Sequence, residues 1–116
     1  MPRVVHFEIA TDDPDRAITF YTSLFGWKFN KWDGGQPYWL IDTGTGDGIN
    51  GGMYVRGGSP IDSCNTIDVP DVDAYLAKIA DAGGEVIMPK MELPGLGYLA
   101  YCTDTEGNQF GVWQKM

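Results

Sequence analysis

Two stretches of the chain carry apolar residues at the three-to-four-residue spacing of an amphipathic helix. Each stretch starts at an aspartate that can cap free backbone N–H groups, Asp13 and Asp71, and each is followed by a glycine, Gly26 and Gly84. The spacing therefore predicts two helices, which begin 58 positions apart. Their apolar positions are Ala17, Ile18, Tyr21, Leu24 and Phe25 in the first helix, and Tyr75, Leu76, Ile79 and Ala82 in the second.

Short runs rich in apolar, β-branched and aromatic residues surround both helices and predict eight strands. One strand precedes each helix and three follow it, so the order strand, helix, strand, strand, strand occurs twice. This order predicts an α+β fold of two βαβββ modules, residues 1–56 and 63–116, joined by a linker at residues 57–62. The predicted strands are residues 4–10, 27–32, 38–43 and 50–55 in the first module, and 64–69, 85–88, 98–103 and 109–114 in the second.

One module of this kind cannot bury the apolar face of its own sheet, so we expect the two to share a core and leave a ligand-binding cleft between them. A chain of 116 residues with 43% hydrophobic content is long enough for one such domain. Whether the modules pair within one chain or between two chains is left open by the short linker.

Charge and composition restrict the partners. A net charge of −8 repels phosphate backbones and anionic lipid, so we expect neither nucleic acid nor a membrane as a partner. No apolar run is long enough to span a bilayer and the first residues do not resemble a signal peptide, which predicts a cytoplasmic protein. Cys64 and Cys102 form no disulfide framework, and we expect both to be free thiols.

Several longer motifs run through essentially the whole chain. They are His6-Phe7-Glu8-Ile9, Asp13-Pro14-Asp15-Arg16-Ala17, Phe20-Tyr21, Phe25-Gly26-Trp27-Lys28-Phe29, Gly51-Gly52-Met53, Val69-Pro70-Asp71-Val72-Asp73, Pro94-Gly95-Leu96-Gly97-Tyr98 and the run from Asp104 to Trp113. These motifs resemble the vicinal oxygen chelate superfamily, the glyoxalase and bleomycin-resistance group, in the subgroup related to lactoylglutathione lyase. The resemblance implies a half-open barrel with a central cleft, a divalent metal held by inward residues of the first and last strands of each module, and a homodimer.

The metal-ligand positions that the resemblance implies are mostly empty of ligands. His6 stands at the first position, and Cys64 stands at the equivalent position of the second module. The other two positions are Gly52 and Gly111, which have no side chain to coordinate a metal. Catalytic mononuclear sites commonly keep three protein ligands, so we expect a degenerate site and no cofactor. A divalent metal on His6, helped by Glu8, is the alternative.

Strand alternation predicts which other side chains face the cleft. Glu8 points the same way as His6, and the pair is either an acid–base couple or a structural contact. Cys64 is most simply a small core residue. The remaining predicted ligand-binding residues are Asn50, Tyr54, Thr66, Gln109 and Trp113, and Asp68 is also expected to point inward. Such an aromatic wall with a few polar groups is typical of small-molecule pockets. The segment 91–97 is interpreted as a loop that can gate this pocket.

Three functions fit these features. The first is a glyoxalase-like lyase or isomerase that acts on a small carbonyl compound, with Glu8 or His6 moving a proton. The second is a metal-independent binding protein of the bleomycin-resistance type, which would sequester a small aromatic or cationic molecule. The third is a scaffold domain without a ligand, because a fold does not fix a function.

Overall fold

The computed structural model describes residues 2–57 and 62–116. Within it the chain forms two compact units, His6–Ser63, here called the first module, and Cys64–Met116, here called the second module, with the residues before His6 grouped with the second. Most of the predicted linker at 57–62 lies outside the described residues, so the predicted module boundaries stay a prediction. No helix in the described ranges is long and apolar enough to cross a membrane.

The first module contains one helix and a four-stranded sheet. Its strands run in the order β2, β3, β4, β1, in which β4 is parallel to β1 and the other neighbours are antiparallel. The elements are β1 (Arg3–Thr11), α1 (Pro14–Phe25), β2 (Lys28–Lys31), β3 (Tyr38–Asp42) and β4 (Gly51–Val55).

The second module repeats this plan. Its strands run in the order β6, β7, β8, β5, with β5 parallel to β8. The elements are β5 (Cys64–Asp68), α2 (Val72–Asp81), β6 (Glu85–Leu93), β7 (Gly97–Thr103) and β8 (Gln109–Lys115). The predicted α+β fold with two βαβββ modules is therefore confirmed.

Both helices start where the capping pattern places them. The Asp13 carboxylate accepts a hydrogen bond from the backbone N–H of Arg16, and Asp71 does the same for the N–H of Ala74. α1 ends at Gly26, which takes the left-handed conformation that glycine favours, with φ of 73°. α2 ends at Asp81, earlier than the predicted Gly84. The residue that takes the left-handed conformation is Gly83, with φ of 97°.

The strand β6 is longer than the sequence pattern indicates. Residues 91–97 are predicted as a loop, but Met91 to Leu93 continue β6 and pair with β7 opposite Leu99 to Gly97. The prediction was wrong because Pro89, which cannot donate to a sheet, ends the strand pattern. Two register shifts interrupt the pairing, between Val86 and Met88 and between Met88 and Met91; Pro89 lies within the second shift, and pairing resumes at Met91.

The two helices pack differently. In the second module, Val69, Val72, Ala100 and Val112 are buried in a core that α2 closes with the partly buried Tyr75, Leu76 and Ile79. The first module buries Ile41 and Met53, but no residue of α1 is buried. Of the apolar positions that predicted α1, Ala17, Ile18 and Tyr21 are half-buried, and Leu24 and Phe25 are exposed.

Candidate functional site

The strand pairing fixes which positions of the two modules are equivalent. Glu8 on β1 lies opposite Gly52 on β4, and Thr66 on β5 lies opposite Gly111 on β8. Because each pair joins the first and last strands of its module in parallel, these pairs occupy the same place in the two modules. Gly52 and Gly111 therefore stand at equivalent positions, and Thr66 stands in the second module where Glu8 stands in the first.

The structure brings His6 and Glu8 together. The Nε2 atom of His6 lies 3.0 Å from Oε1 of Glu8, and the Glu8 side chain is only 6% exposed, whereas that of His6 is 29% exposed. Both side chains point away from the sheet face on which Phe7 packs against Trp27. A carboxylate this well buried needs hydrogen-bond donors, and His6 supplies one when its proton is on Nε2.

Tyr38 supplies the second donor to Glu8. Its hydroxyl lies 3.1 Å from Oε1 and 3.2 Å from Oε2 of the carboxylate, and 3.4 Å from Nε2 of His6. The hydroxyl can reach this place because residue 52 is glycine. A Cβ atom there would lie 1.6 Å from the Tyr38 oxygen. The phenol thus occupies the space in which the side chain of an implied metal ligand would start.

The sequence places Tyr38 among the aromatic residues of the core and cleft wall, and it does not predict the hydrogen bond from Tyr38 to Glu8. Tyr38 belongs to β3 and lies two positions before Leu40, which is the residue directly opposite Gly52. The side chain reaches Gly52 diagonally, as long aromatic side chains can across neighbouring strands. The signal in the sequence is an aromatic residue near a strand glycine, but it identifies a contact only once the register of β3 and β4 is known.

Trp32 packs against the phenol ring of Tyr38. The two rings meet edge to face, with centroids 6.0 Å apart and planes at 81°. The Trp32 ring lies directly over Gly34, where a Cβ atom would fall 1.8 Å from the ring. The turn between β2 and β3 therefore depends on a glycine to let the indole fold back against it. This contact restricts the rotation of Tyr38 and helps hold its hydroxyl on Glu8.

The remaining predicted residues of the first module lie beside this group or apart from it. Tyr54 is half-buried and pairs across the sheet with Tyr38. Asn50 is exposed, and its side-chain oxygen accepts a hydrogen bond of 2.9 Å from the backbone N–H of Thr43. Asn50 thus holds the turn between β3 and β4, which leaves its side chain engaged away from Glu8.

The second module has no carboxylate at the equivalent place. Thr66 is 3% exposed, and its hydroxyl makes no hydrogen bond to any residue in the described ranges. The hydroxyl faces Gly111, where a Cβ atom would lie 3.2 Å from it and 3.2 Å from the ring of Tyr101. A polar atom is thus left without a protein partner at the position that matches Glu8.

The other predicted residues of this module are partly accessible. Cys64, Gln109 and Trp113 are half-buried, and the Trp113 ring lies close to Gly97, where a Cβ atom would approach it to 2.9 Å. Asp68, which alternation predicts to point inward, is exposed. In the described residues Cys64 and Cys102 form no disulfide. Burial raises the pKa of the Cys102 thiol, which makes it a poor nucleophile.

The residues present do not fit the metal centre that the resemblance implies. Gly52 and Gly111 offer no ligand, and the Tyr38 hydroxyl fills the space beside Gly52. Among the residues that the structure describes, no group of three or more His, Cys, Asp and Glu side chains converges to hold a metal ion.

Comparison with known proteins gives consistent matches. A family model described as the Glyoxalase/Bleomycin resistance protein/Dioxygenase superfamily matches residues 3–112. The chain is 34% identical over 113 residues to CFP32 of Mycobacterium tuberculosis (strain CDC 1551 / Oshkosh), whose name describes it as a candidate glyoxylase. It is 30% identical over 133 residues to the anthracycline biosynthesis protein DnrV of Streptomyces peucetius. These matches cover 92% and 94% of the chain but only 43% and 46% of the relatives, so the chain spans less than half of their length.

Solved structures share the fold. A superfamily member from Vibrio splendidus 12B01 superimposes with a TM-score of 0.70 at 15% identity, covering 99% of this chain and 100% of that one. Methylmalonyl-CoA epimerase from Mycobacterium tuberculosis gives a TM-score of 0.70 at 16% identity, covering 97% of this chain and 87% of that one. At such identities the likeness concerns the fold and leaves the chemistry to the residues of the site.

Proposed function

Because the chain belongs to the glyoxalase/bleomycin resistance protein/dioxygenase superfamily, we propose that it is a glyoxalase-like lyase or isomerase that moves a proton on a small carbonyl compound. The observation that carries the proposal is the arrangement of Glu8, buried and held by two donors, His6 and Tyr38. Fixed hydrogen bonds hold a carboxylate in one orientation, as a general base requires.

In the proposed step, Glu8 takes the proton from the carbon next to the carbonyl group. The electron pair of the C–H bond then forms the carbon–carbon double bond, and the carbonyl oxygen becomes an enolate oxygen. The O–H of Tyr38 and an N–H of His6 are the donors placed to stabilise that developing charge once Glu8 is protonated. Glu8 returns the proton to the neighbouring carbon in an isomerisation, while the hydroxyl hydrogen of the intermediate moves to the former carbonyl oxygen. An epimerisation needs a second acid, on the opposite face of the enolate, to deliver a proton to the same carbon.

The test follows proton exchange with solvent, so that it needs no knowledge of the final product. Two probes are incubated with the protein in D2O: methylglyoxal mixed with glutathione, and methylmalonyl-CoA. NMR then records the loss of the signal of the proton next to the carbonyl group. We expect exchange with at least one probe. In Glu8→Gln the exchange rate should fall by at least roughly 10²-fold, within the usual range for loss of a general base.

The control is Glu85→Gln, which changes an exposed carboxylate at the start of β6 in the same way. It should exchange like the unmodified protein. Retained binding of the probe to Glu8→Gln would show that the site is still folded. Equal exchange rates in Glu8→Gln and in the unmodified protein would refute Glu8 as the base.

A second candidate function is metal-independent binding of a small aromatic or cationic molecule, without chemistry. Aromatic residues favour it, because Tyr38 lies beside Gly52, Trp32 packs edge to face on Tyr38 and Tyr54 pairs with Tyr38 across the sheet. The net charge of −8 also favours a cation. The test is titration with the planar cation proflavine, followed by recovery of the probe. Saturable binding that weakens with salt and returns proflavine unchanged supports this function, and absence of binding at low salt contradicts it.

A further inference from the structure

Leu40 carries a large apolar side chain that is open to solvent beside the candidate site. It stands on β3 directly opposite Gly52, and Gly52 stands opposite Glu8 on β1. Paired residues of neighbouring strands share a face of the sheet, so Leu40 lies on the same face as Glu8 and Tyr38. Leu40 is 47% exposed. The face that carries the buried carboxylate therefore continues into an open apolar surface.

The second module serves as an internal reference for this position. The residue opposite the equivalent glycine, Gly111, is Tyr101. Tyr101 is 8% exposed, and a Cβ atom at Gly111 would meet its ring at 3.2 Å, so Tyr101 itself covers the glycine. In the first module the side chain that covers the glycine is Tyr38, two positions before Leu40. Leu40 is thus left open in the module that has the carboxylate.

The strand spacing gives the size of the group that could cover Leu40. β4 lies between β1 and β3, and neighbouring strands are about 4.8 Å apart, so the backbone at Leu40 lies about 10 Å from the backbone at Glu8. A carbonyl compound whose reacting carbon lies beside Glu8 reaches Leu40 only through a substituent larger than a methyl group. Asn30, exposed and opposite Leu40 on the outer strand β2, is the polar limit of this surface.

We propose that Leu40 determines substrate specificity, by burying an aryl or branched alkyl substituent of the carbonyl compound against its side chain. The proposal rests on the proposed function, which places the reacting carbon beside Glu8. An apolar substituent that covers Leu40 removes apolar surface of both partners from water, whereas a methyl group leaves Leu40 exposed. The site therefore favours substrates with an apolar group of about the size of a phenyl ring.

The experiment measures binding and not turnover, so that it gives an answer even if no proton is exchanged. The two probes are acetophenone and acetone, which are both methyl ketones and differ only in that phenyl replaces methyl. NMR of 15N-labelled protein follows the backbone signals of Leu40 and Gly52 during titration with each ketone. We expect acetophenone to shift these signals and to bind at least roughly tenfold more tightly than acetone, the lower range for changes of apolar groups in a binding site.

The variant Leu40→Thr replaces the apolar side chain by a smaller polar one that strands accept well. We expect it to bind acetophenone roughly tenfold more weakly and acetone as before. Leu40→Met keeps an apolar side chain of similar size and should keep the preference. The matched control is Leu96→Thr, because Leu96 is 50% exposed and belongs to the second module. It should bind both ketones like the unmodified protein.

Equal affinities for the two ketones would overturn the proposal, and so would a preference for acetophenone that persists in Leu40→Thr. The same holds if acetophenone fails to shift the Leu40 and Gly52 signals up to its solubility limit. A preference that depends on Leu40 in a protein that exchanges no proton would support Leu40 as the apolar contact and would refute the proposed chemistry at Glu8.

Discussion

At the scale of single residues, the site depends on residue 52 being glycine, which has no side chain. Gly52 leaves the space into which the Tyr38 hydroxyl extends, and that hydroxyl is one of two donors to the buried Glu8 carboxylate. A buried carboxylate without donors is costly, so Gly52 and Tyr38 stabilise the site together. Replacing the glycine changes the hydrogen bonding of a residue on another strand.

We expect Gly52→Ala to lower the free energy of unfolding by about 1–3 kcal/mol, the usual cost of forcing an extra atom into a packed site. The added Cβ atom would lie 1.6 Å from the Tyr38 oxygen and must displace it from Glu8. Urea denaturation measures the change. Gly111→Ala is the matched control, because its Cβ atom would meet Thr66 and Tyr101 at 3.2 Å and should cost less.

The combination with Tyr38→Ala separates the proposed cause from a general strain in β4. If the phenol is what the new methyl group displaces, Gly52→Ala should have little further effect in a chain that already carries Tyr38→Ala. Additive losses in the double variant would mean that the methyl group acts on something other than Tyr38.

At the scale of elements, the turn between β7 and β8 is held by one side chain. Oδ1 of Asp104 accepts hydrogen bonds from the backbone N–H groups of Glu106, at 2.8 Å, and Asn108, at 2.9 Å. Oδ2 accepts one of 3.0 Å from the side-chain amide of Asn108. Gly107 completes the turn in the left-handed region, with φ of 83°. This turn sets the register that places Gly111 beside Tyr101.

These bonds make the stability of the turn depend on pH. The side chain of Asn108, and then the backbone N–H groups of Asn108 and Glu106, hold the pKa of Asp104 below its usual range. The contribution of a carboxylate with a lowered pKa is present above the pKa of the unfolded chain, about 3.9, and is lost as pH falls through the lower folded value.

We therefore expect Asp104→Asn to destabilise the protein at pH 7 and to differ less from the unmodified protein as the pH falls below about 3.9. Urea denaturation of both proteins at a series of pH values measures the difference. Asp47→Asn, a change at an exposed aspartate in another loop, is the control and should show no such trend. A difference that stays constant down to the acid limit would show that charge at Asp104 is not the cause.

The elements could largely be predicted from the sequence, because helix periodicity, aspartate caps and glycine turns are local signals. Asp13 and Asp71 identified both helix starts, and the order of strands followed from the duplication. The extension of β6 beyond Pro89 could not be predicted, since the bulge that accommodates this proline depends on pairing with β7. The sequence also did not show that part of the apolar stripe of α1 is exposed, because amphipathic spacing shows that a face is apolar but not what covers it.

At the scale of the whole molecule, the two modules have diverged at their equivalent centres. The first keeps a carboxylate with two donors, whereas the second has Thr66 with a hydroxyl that lacks a partner among the described residues. The resemblance to the superfamily placed His6 and the two glycines at these centres, and strand alternation added Glu8. The hydrogen bond from Tyr38 to Glu8 could not be predicted, because it depends on the diagonal contact across β3 and β4.

This divergence predicts opposite responses to the same substitution. Thr66→Val removes a buried polar atom and keeps the shape of the side chain, so we expect the free energy of unfolding to stay unchanged or to rise by up to about 1 kcal/mol. Thr11→Val is the matched variant in the first module. The Thr11 hydroxyl donates to the carbonyl oxygen of Asp13 at 3.1 Å, so its loss should cost about 1 kcal/mol.

Thermal and urea denaturation measure both changes. If Thr66→Val destabilises the protein as much as Thr11→Val does, the Thr66 hydroxyl has a partner such as a buried water, and the two centres are more alike than the hydrogen bonds among the described residues indicate.

The interrupted pairing of β6 also disfavours aggregation of this protein through the edges of its sheets. A long, regular outer strand offers unpaired backbone groups to which another chain can add a strand, the first step of aggregation. β6 stands at the end of the strand order of its module, and it carries the two register shifts, Pro89 and the charged Lys90, which forms an ion pair of 2.8 Å with Asp73. In the first module, β2 stands at one end of the strand order, is only four residues long and holds Lys28 and Lys31. Both β6 and β2 are thus poor templates for strand addition.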